Sequence, residues 1–480
     1  MNRDLATAAV EHGRELGAEY VEARIHHVRN LGALLRNGNP EPAVISDSYG
    51  IGIRLIYRGS LSFVATNNLR SDSVKGLVED ALRGAKSSQR ILNDKIGFGK
   101  EKMSRSKWKA KEKKRLENYG VDVMIKFLKE LDKQVKHEFK GVAFTNRLLS
   151  VSSEIEDKTY VNSDGADLDS RVPRIEFSSY LASSYYGNIE SFTIPPGYAQ
   201  LGGTGGWEVL EDLNLHEYIQ SKADDLSSVV KSTGKPPDGN VDIILGPGVT
   251  GLVAHESSGH PEEADRILGR EAAQAGESYL KREDLGLKIG SDEAFVSDDP
   301  TLAGSMGFYL FDDEGVKAKK RRLIEAGYIR EFLHNRDTGR ELKTGSNASS
   351  RAVRYDREPI VRMANTFVEP GDHSFDELVE DVNHGVYIES FMEWNIDDKR
   401  LNQRYVGLEA YVIENGKISR RIRNPILEIT TPKFWSSVDA RGNDLQFTAA
   451  TCGKGDPMQG SPVWTGGPHI RLRGLRVGSR

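Results

Sequence analysis

The chain has 480 residues and a mass of 53.3 kDa, about three times the common domain size, so two or three domains, each with its own core, are expected. Charged side chains make up 29% and the hydrophobic set 38%, with 66 basic against 71 acidic residues, which excludes a disordered chain and argues against a dedicated nucleic-acid binder. A single cysteine, Cys452, excludes an intramolecular disulfide, a cysteine-only zinc site and a CxxC redox pair.

The N-terminus lacks the apolar run of a signal peptide; Leu5, Ala9, His12 and Leu16 space instead as a short amphipathic helix. The most apolar stretch, Ile243 to Ala254, is too short to cross a membrane and is broken by Gly246, Pro247 and Gly248, so a cytoplasmic location is expected. Alternating runs at Tyr20–His27, Leu31–Arg36, Gly50–Tyr57 and Leu61–Thr66 read as antiparallel strands, the last two joined at Arg58-Gly59-Ser60. Val74, Leu77, Val78, Ala81 and Leu82 then form one helical stripe.

Lys100 to Arg115 carries nine basic and two acidic residues around Trp108. The run reads as a solvated or mobile insertion, the competing reading being a contact strip for an acidic partner or nucleic acid. A second amphipathic helix follows, with Met124, Phe127, Leu128, Leu131 and Val135 on one face. Strands resume near Phe139, and the glycine loop Gly202–Gly206 reads as a mobile loop near a cleft, since no Lys-Ser or Lys-Thr follows to make a phosphate cradle. Ser232 to Asn240 is the best domain boundary, dividing an N-terminal α+β domain, residues 1–235 with a variable Lys-rich segment near 97–120, from a C-terminal domain, residues 241–480. The C-terminal half opens with a strand at Val241–Leu245, a Gly-Pro-Gly turn and a helix from Val249 to about Gln274, and then becomes largely β. Its clearest hairpin, Glu409 to Ile422, turns at Asn415-Gly416, the pair suited to a type I′ turn. The fold class expected is α+β: an antiparallel sheet with packed helices, then a β-rich domain carrying the helix that holds the residues described next.

That helix contains His255-Glu256-Ser257-Ser258-Gly259-His260, one residue longer than the H-E-x-x-H pattern of zinc proteases. On an ideal helix four positions turn a side chain by about 400° and five by about 500°, so this pair stands roughly 140° apart. Both histidines bind one metal only if the helix is distorted. Ser257, Ser258 and Gly259 are weak helix formers, and Pro261 pushes His260 away from the helical region; the expectation is a π-bulge or an unwound turn between the histidines. A catalytic zinc wants three protein ligands, and the third is open among Glu263, Asp265, His334, His373, His384, His469 and Cys452. Cys452 sits in a glycine-rich turn beside Lys454, a setting that favours a thiolate over a buried inert cysteine, and a nucleophilic Cys452 paired with His469 is a second possibility.

The chain resembles the TldD/PmbA proteins, TldD type. The resemblance rests on Leu252-Val253-Ala254-His255-Glu256 with Gly259-His260 and Glu263-Ala264-Asp265; on Asp312-Asp313-Glu314-Gly315; on Arg362-Met363-Ala364-Asn365-Thr366; on Glu409-Ala410-Tyr411; and on Cys452-Gly453-Lys454 with Pro468-His469-Ile470-Arg471. The N-terminal half carries less of it, chiefly Gly50-Ile51-Gly52-Ile53-Arg54 and Gly203-Thr204-Gly205-Gly206-Trp207-Glu208. Pro261 and Asp456 depart from the residues expected at their positions, a small residue and Gln. The resemblance implies a metalloprotease in which His255, His260 and Cys452 bind one zinc ion (Zn2+) and Glu256 is the catalytic carboxylate. It also implies a heterodimer with a PmbA/TldE-type paralogue, a homodimer being the alternative, and an unfolded or modified peptide threaded into an enclosed cleft as an added strand. Asp312, Asp313, Glu314 and Glu263 are candidates for the cleft or for support behind the ligands, against the alternative of a polar turn between strands. Two rival functions remain at this level: a non-catalytic peptide-binding or regulatory subunit, and a cysteine hydrolase.

Overall fold

The structure is a computed structural model that describes residues 2–479 apart from 93, 140, 186–187, 198–199, 232–233 and 272–275. Ser232 and Thr233 of the expected domain boundary, and Gln274 at the expected helix end, lie outside the described residues.

The N-terminal half is built on one sheet whose strands lie in the order Ser60–Thr66, Val44–Tyr57, Tyr20–Arg36, Ala143–Asn162, Asp167–Tyr185 and Arg105–Lys109. The two short strands expected at 20–27 and 31–36 are one long strand, because Val28, Arg29 and Asn30 pair on both sides, Asn30 lying opposite Ser46 and Glu154. Alternation along Tyr20–Arg36 sends Val21, Ala23, Ile25, Ala33 and Leu35 to one face. The helices Arg3–Glu15 and Ser71–Ser88 cover the first part of that face, and Val121–Glu138 and Leu215–Lys231 cover the second. The opposite face, with Glu22, Arg24 and His26, is also buried but polar. It docks on the C-terminal half: Arg54 Nη2 reaches Glu314 Oε1 at 2.7 Å, Lys158 Nζ reaches Asp313 Oδ1 at 3.0 Å, and Arg24 Nη2 donates to the carbonyl of Arg357 at 2.7 Å.

The basic strip, expected as a solvated or mobile insertion, is in part a sheet strand. Arg105–Lys109 adds a parallel edge strand to Asp167–Tyr185, and Trp108 turns inward against Phe308, ring centroids 5.8 Å apart. The glycine loop is likewise packed: Leu201–Thr204 pairs with Asp167–Tyr185, and Trp464 Nε1 donates to the carbonyl of Gly202 at 2.9 Å.

The C-terminal half contains two six-stranded sheets. The first orders Lys417–Arg421, Ala410–Glu414, His384–Ile388, Asn240–Leu245, Ile470–Arg476 and Val438–Arg441; the second orders Tyr328–Ile329, Arg321–Glu325, Val296–Asp298, Asn365–Val368, Gln459–Gly467 and Gln446–Lys454. One core joins them, with Ile243, Leu245 and Val386 from the first, Val296, Val368 and Val463 from the second, and Val249 and Val253 from the intervening helix. The hairpin expected at 409–422 is present, with Asn415 at φ 51° and Gly416 at φ 73° as a type I′ turn requires. No helix of the described residues is long and apolar enough to cross a membrane.

Candidate metal centre

Strand Asn240–Leu245 ends in Gly-Pro-Gly, and Pro247 opens the helix Pro247–Ala254 at a position where its missing N–H is not needed. At His255 the hydrogen-bond ladder widens: the His260 N–H donates to the His255 carbonyl at 3.1 Å, and His255–Gly259 is a π turn, as the spacing of the histidines required. The inserted residue brings positions five apart onto one face, with ring centroids 4.9 Å apart and planes at 83°. Gly259 is needed there, since a Cβ would lie 1.9 Å from Met363 Sδ. His260 stays in the helical region at φ −65°, ψ −45°, contrary to the expectation drawn from Pro261. Its N–H bond and its ring contact with Glu263 hold it there, and Pro261 instead ends the run. The helix therefore does not continue toward 274; a separate short turn, Ala264–Ile267, follows.

The third arm is Cys452, on the edge strand Gln446–Lys454. Its Sγ lies 3.3 Å from His255 Nε2 and 3.4 Å from His260 Nε2, and all three atoms fall within 4.8 Å of one another. Zinc–nitrogen bonds of about 2.05 Å and a zinc–sulfur bond of about 2.3 Å at tetrahedral angles give a nitrogen–sulfur edge of about 3.6 Å, so this donor set fits a zinc ion. Glu263 Oε2 lies 3.0 Å from His260 Nδ1, which fixes the proton on that nitrogen and leaves Nε2 for the metal. Glu263 is in turn held by Arg266 Nε at 2.6 Å and Lys454 Nζ at 3.3 Å.

Burial would raise the Glu263 carboxyl, but Lys454, His260 and Arg266 outweigh it and hold it well below the ordinary glutamate range. Burial would likewise raise the Cys452 thiol; His260, His255 and Arg362 reverse this and hold it well below the usual cysteine value. Lys454, the basic neighbour in the sequence, turns away to Asp265 at 2.6 Å. Among the described residues these three side chains are the one His/Cys/Asp/Glu group so arranged.

Glu256 follows His255 in the π turn and lines the same cavity of about 390 Å³. Walls come from both halves of the chain: Pro196, Gly197 and Gln200 from the N-terminal half, and Phe391, Trp394 and Arg400 from the C-terminal half. Arg400, which sequence reasoning missed, donates from Nη1 to Glu256 Oε2 at 2.5 Å. It lies in a charged turn 144 residues away, and nothing local in the sequence distinguishes it.

Asp312, Asp313 and Glu314 lie elsewhere. Asp312 accepts the backbone N–H groups of Glu314, Val316 and Ser350, while Asp313 and Glu314 make the contacts to Lys158 and Arg54 that join the two halves. His469 is engaged by the Tyr387 hydroxyl at 2.9 Å and by Asp444, so the structure brings no His469 to Cys452 as a cysteine hydrolase would need.

Three domains of the PmbA/TldA metallopeptidases match the chain in order: domain 1 over residues 21–85, the central domain over 114–231 and the C-terminal domain over 238–479. A metalloprotease of Methanothermobacter thermautotrophicus is 30% identical over 462 residues, 96% of this chain and 95% of its own length. The chain belongs to the PmbA/TldD metallopeptidase family. It is accordingly a metalloprotease, with the His-His-Cys group in the family's C-terminal domain. A zinc metalloprotease TldD homologue of Saccharolobus solfataricus is 31% identical over 247 residues, 51% of this chain and 52% of its own. The PmbA/TldD fold is shared with the crystal structure of TldE from Thermococcus kodakarensis, with a TM-score of 0.72, 17% identity, and coverage of 99% of this chain and 100% of that one. Most of the basic strip falls between the first two matched PmbA/TldD domains.

Proposed function

We propose that this chain is a TldD-type zinc peptidase that cleaves unfolded or modified peptides bound as an extended strand. The observation that carries the reading is the convergence of His255 Nε2, His260 Nε2 and Cys452 Sγ in a cavity also lined by the Glu256 carboxylate. A zinc ion held by these three atoms supplies Lewis acidity and makes water a nucleophile near neutral pH. Glu256 accepts the proton of the attacking water at Oε1, the oxygen not taken by Arg400, and returns it to the leaving amine.

The substrate is held by main chain. Gln446–Lys454 is the last strand of its sheet, and Ala449 already exchanges N–H and C=O bonds of 2.9 Å with Gln200 across the outer edge. By alternation Thr451 and Gly453 turn their backbone groups to the same edge. A peptide added there lies beside Cys452. Side-chain-independent binding of this kind selects unfolded chains, because a folded one has no free strand to add.

The reading includes a PmbA/TldE-type paralogous subunit, supported by likeness to TldE, with a homodimer as the alternative, and a cytoplasmic location. The experiment is metal analysis beside peptide cleavage. Cys452→Ala is expected to lose zinc, and Glu256→Gln to keep zinc while cleavage falls by about 100-fold or more. Equal zinc in wild type and Cys452→Ala would remove the thiolate from the site; full activity in Glu256→Gln would remove the proton-transfer role.

A further inference from the structure

Among the described residues the Glu256 carboxylate is held by one side chain, Arg400, and Arg400 is itself fixed. It sits in the turn between the strands Phe391–Ile396 and Asn402–Gly407 at φ 63°, its N–H donating to the Asp397 carbonyl at 3.0 Å. The Arg400 carbonyl accepts from Thr431 Oγ1 at 2.8 Å. Thr431 Oγ1 accepts from Gln403 Nε2 at 3.2 Å, and Gln403 Oε1 accepts from Ser257 Oγ at 2.6 Å and from the Tyr405 hydroxyl. Ser257 is the next residue after Glu256 in the π turn, so the contacts close a ring: Glu256, Arg400, Thr431, Gln403, Ser257 and back through one peptide bond.

The donor and acceptor directions around the ring are consistent. The Thr431 hydroxyl uses its one proton on the Arg400 carbonyl and can meet Gln403 only as an acceptor, which fixes the Gln403 amide with its oxygen toward Ser257. Thr431, Ser257, Glu256 and Gln403 are buried, from 0% exposure at Thr431 to 4% at Glu256 and Gln403, and the Arg400 side chain, which lines the cavity, is 11% exposed. Burying this much polar surface costs stability unless the groups are matched, and in the ring only Arg400 Nε is buried without a hydrogen-bond partner. The π turn, meanwhile, has left the regular helical ladder and needs an outside reference to place its side chains.

We propose that this ring is the positioning device for Glu256: Thr431 and Gln403, acting through Arg400, set where the carboxylate stands relative to the two histidines. The inference rests on the proton-transfer role of Glu256 stated above. Thr431 and Gln403 are positioning residues, without contact to the reacting atoms, while Arg400 bonds the Glu256 carboxylate itself at Oε2.

The test uses the full-length zinc-loaded chain, alone and with a PmbA-type paralogue, and a fluorogenic unstructured peptide. Thr431→Val is expected to lower kcat by about tenfold, with KM and zinc affinity, read by chelator competition, within about twofold of wild type. Thr431→Ser, which keeps the hydroxyl, is expected to behave as wild type. Arg400→Ala is expected to lose about 100-fold in kcat and to regain part of it with added guanidinium ion. A wild-type kcat in Thr431→Val while Glu256→Gln is inactive would overturn the ring alone. Loss of kcat in step with loss of zinc would do the same, by reducing the ring to support of the metal site. Full activity in Glu256→Gln would overturn the proton-transfer reading beneath it.

Discussion

The π turn His255–Gly259 and the basic strip Lys100–Arg115 both break a local rule of the sequence, and the structure uses them in opposite ways. In the π turn nearly every side chain has an assigned contact: His255 and His260 face Cys452, Glu256 meets Arg400, Ser257 meets Gln403, and Gly259 has no room for a Cβ. In the strip the main chain carries the load. Arg105, Lys107 and Lys109 point to solvent while their backbones pair with Asp167–Tyr185, and the Lys114 carbonyl accepts from the Trp207 N–H at 2.8 Å. Trp108, Met103 and Glu101 are the exceptions: Trp108 packs on Phe308, Met103 on Tyr160 and Leu168, and Glu101 accepts from Arg336 Nε at 2.9 Å. An unusual run of residues thus marks chemistry when its side chains converge, and marks only an edge strand when they diverge.

Substitutions should separate the two regions by size of effect. Cys452→Ser is expected to weaken zinc binding by at least about 100-fold, since even outer partners of a ligand are worth 10–100-fold; chelator competition reads it. In Gly259→Ala the methyl must displace Met363, and a loss of about 1–3 kcal/mol in denaturant unfolding is expected, with weaker zinc binding because the second histidine moves with the turn.

Glu176 lies on the strand to which the strip pairs, and burial first, then Glu154, pushes its carboxyl up to about 7. Unfolded, it releases its proton near the ordinary 4.5, so unfolding between those values releases a proton and stability falls as pH rises through that window, levelling above about 7. Glu176→Gln should therefore stabilise the protein by about 1–3 kcal/mol at pH 8 and hardly at pH 5, checked by urea unfolding at both. Lys107→Gln with Lys109→Gln should change stability by less than about 0.5 kcal/mol; a larger loss would mean that the strip's charges matter as its backbone does.

Much of the site was legible before any coordinates. Five-residue spacing between His255 and His260 demanded a distorted helix because an ideal one cannot align them, and the weak helix formers between them said where the distortion falls. The hairpin turn at Asn415-Gly416 was legible for the same reason, a backbone requirement met by few residue types. Less legible were elements whose fate depends on partners. The strip read as a solvated or mobile insertion because its charges say nothing about where a neighbouring strand edge lies. Asp312, Asp313 and Glu314 looked like site residues because a buried interdomain lock and a catalytic cleft use the same acidic chemistry.

By itself the sequence determined the histidine pair, the lone thiol and the need for a distorted helix between the histidines, which follow from residue identity and spacing, and the family resemblance, which follows from several motif blocks in order. The tertiary structure brings Cys452, which the family resemblance had pointed to, to His260 across 192 residues, and it alone placed Arg400 against Glu256 across 144 residues. It also decided that the polar face of the N-terminal sheet is an interface and not a solvated surface. Contacts at such separations depend on how sheets pack and strands order, and no periodicity within a single element records them.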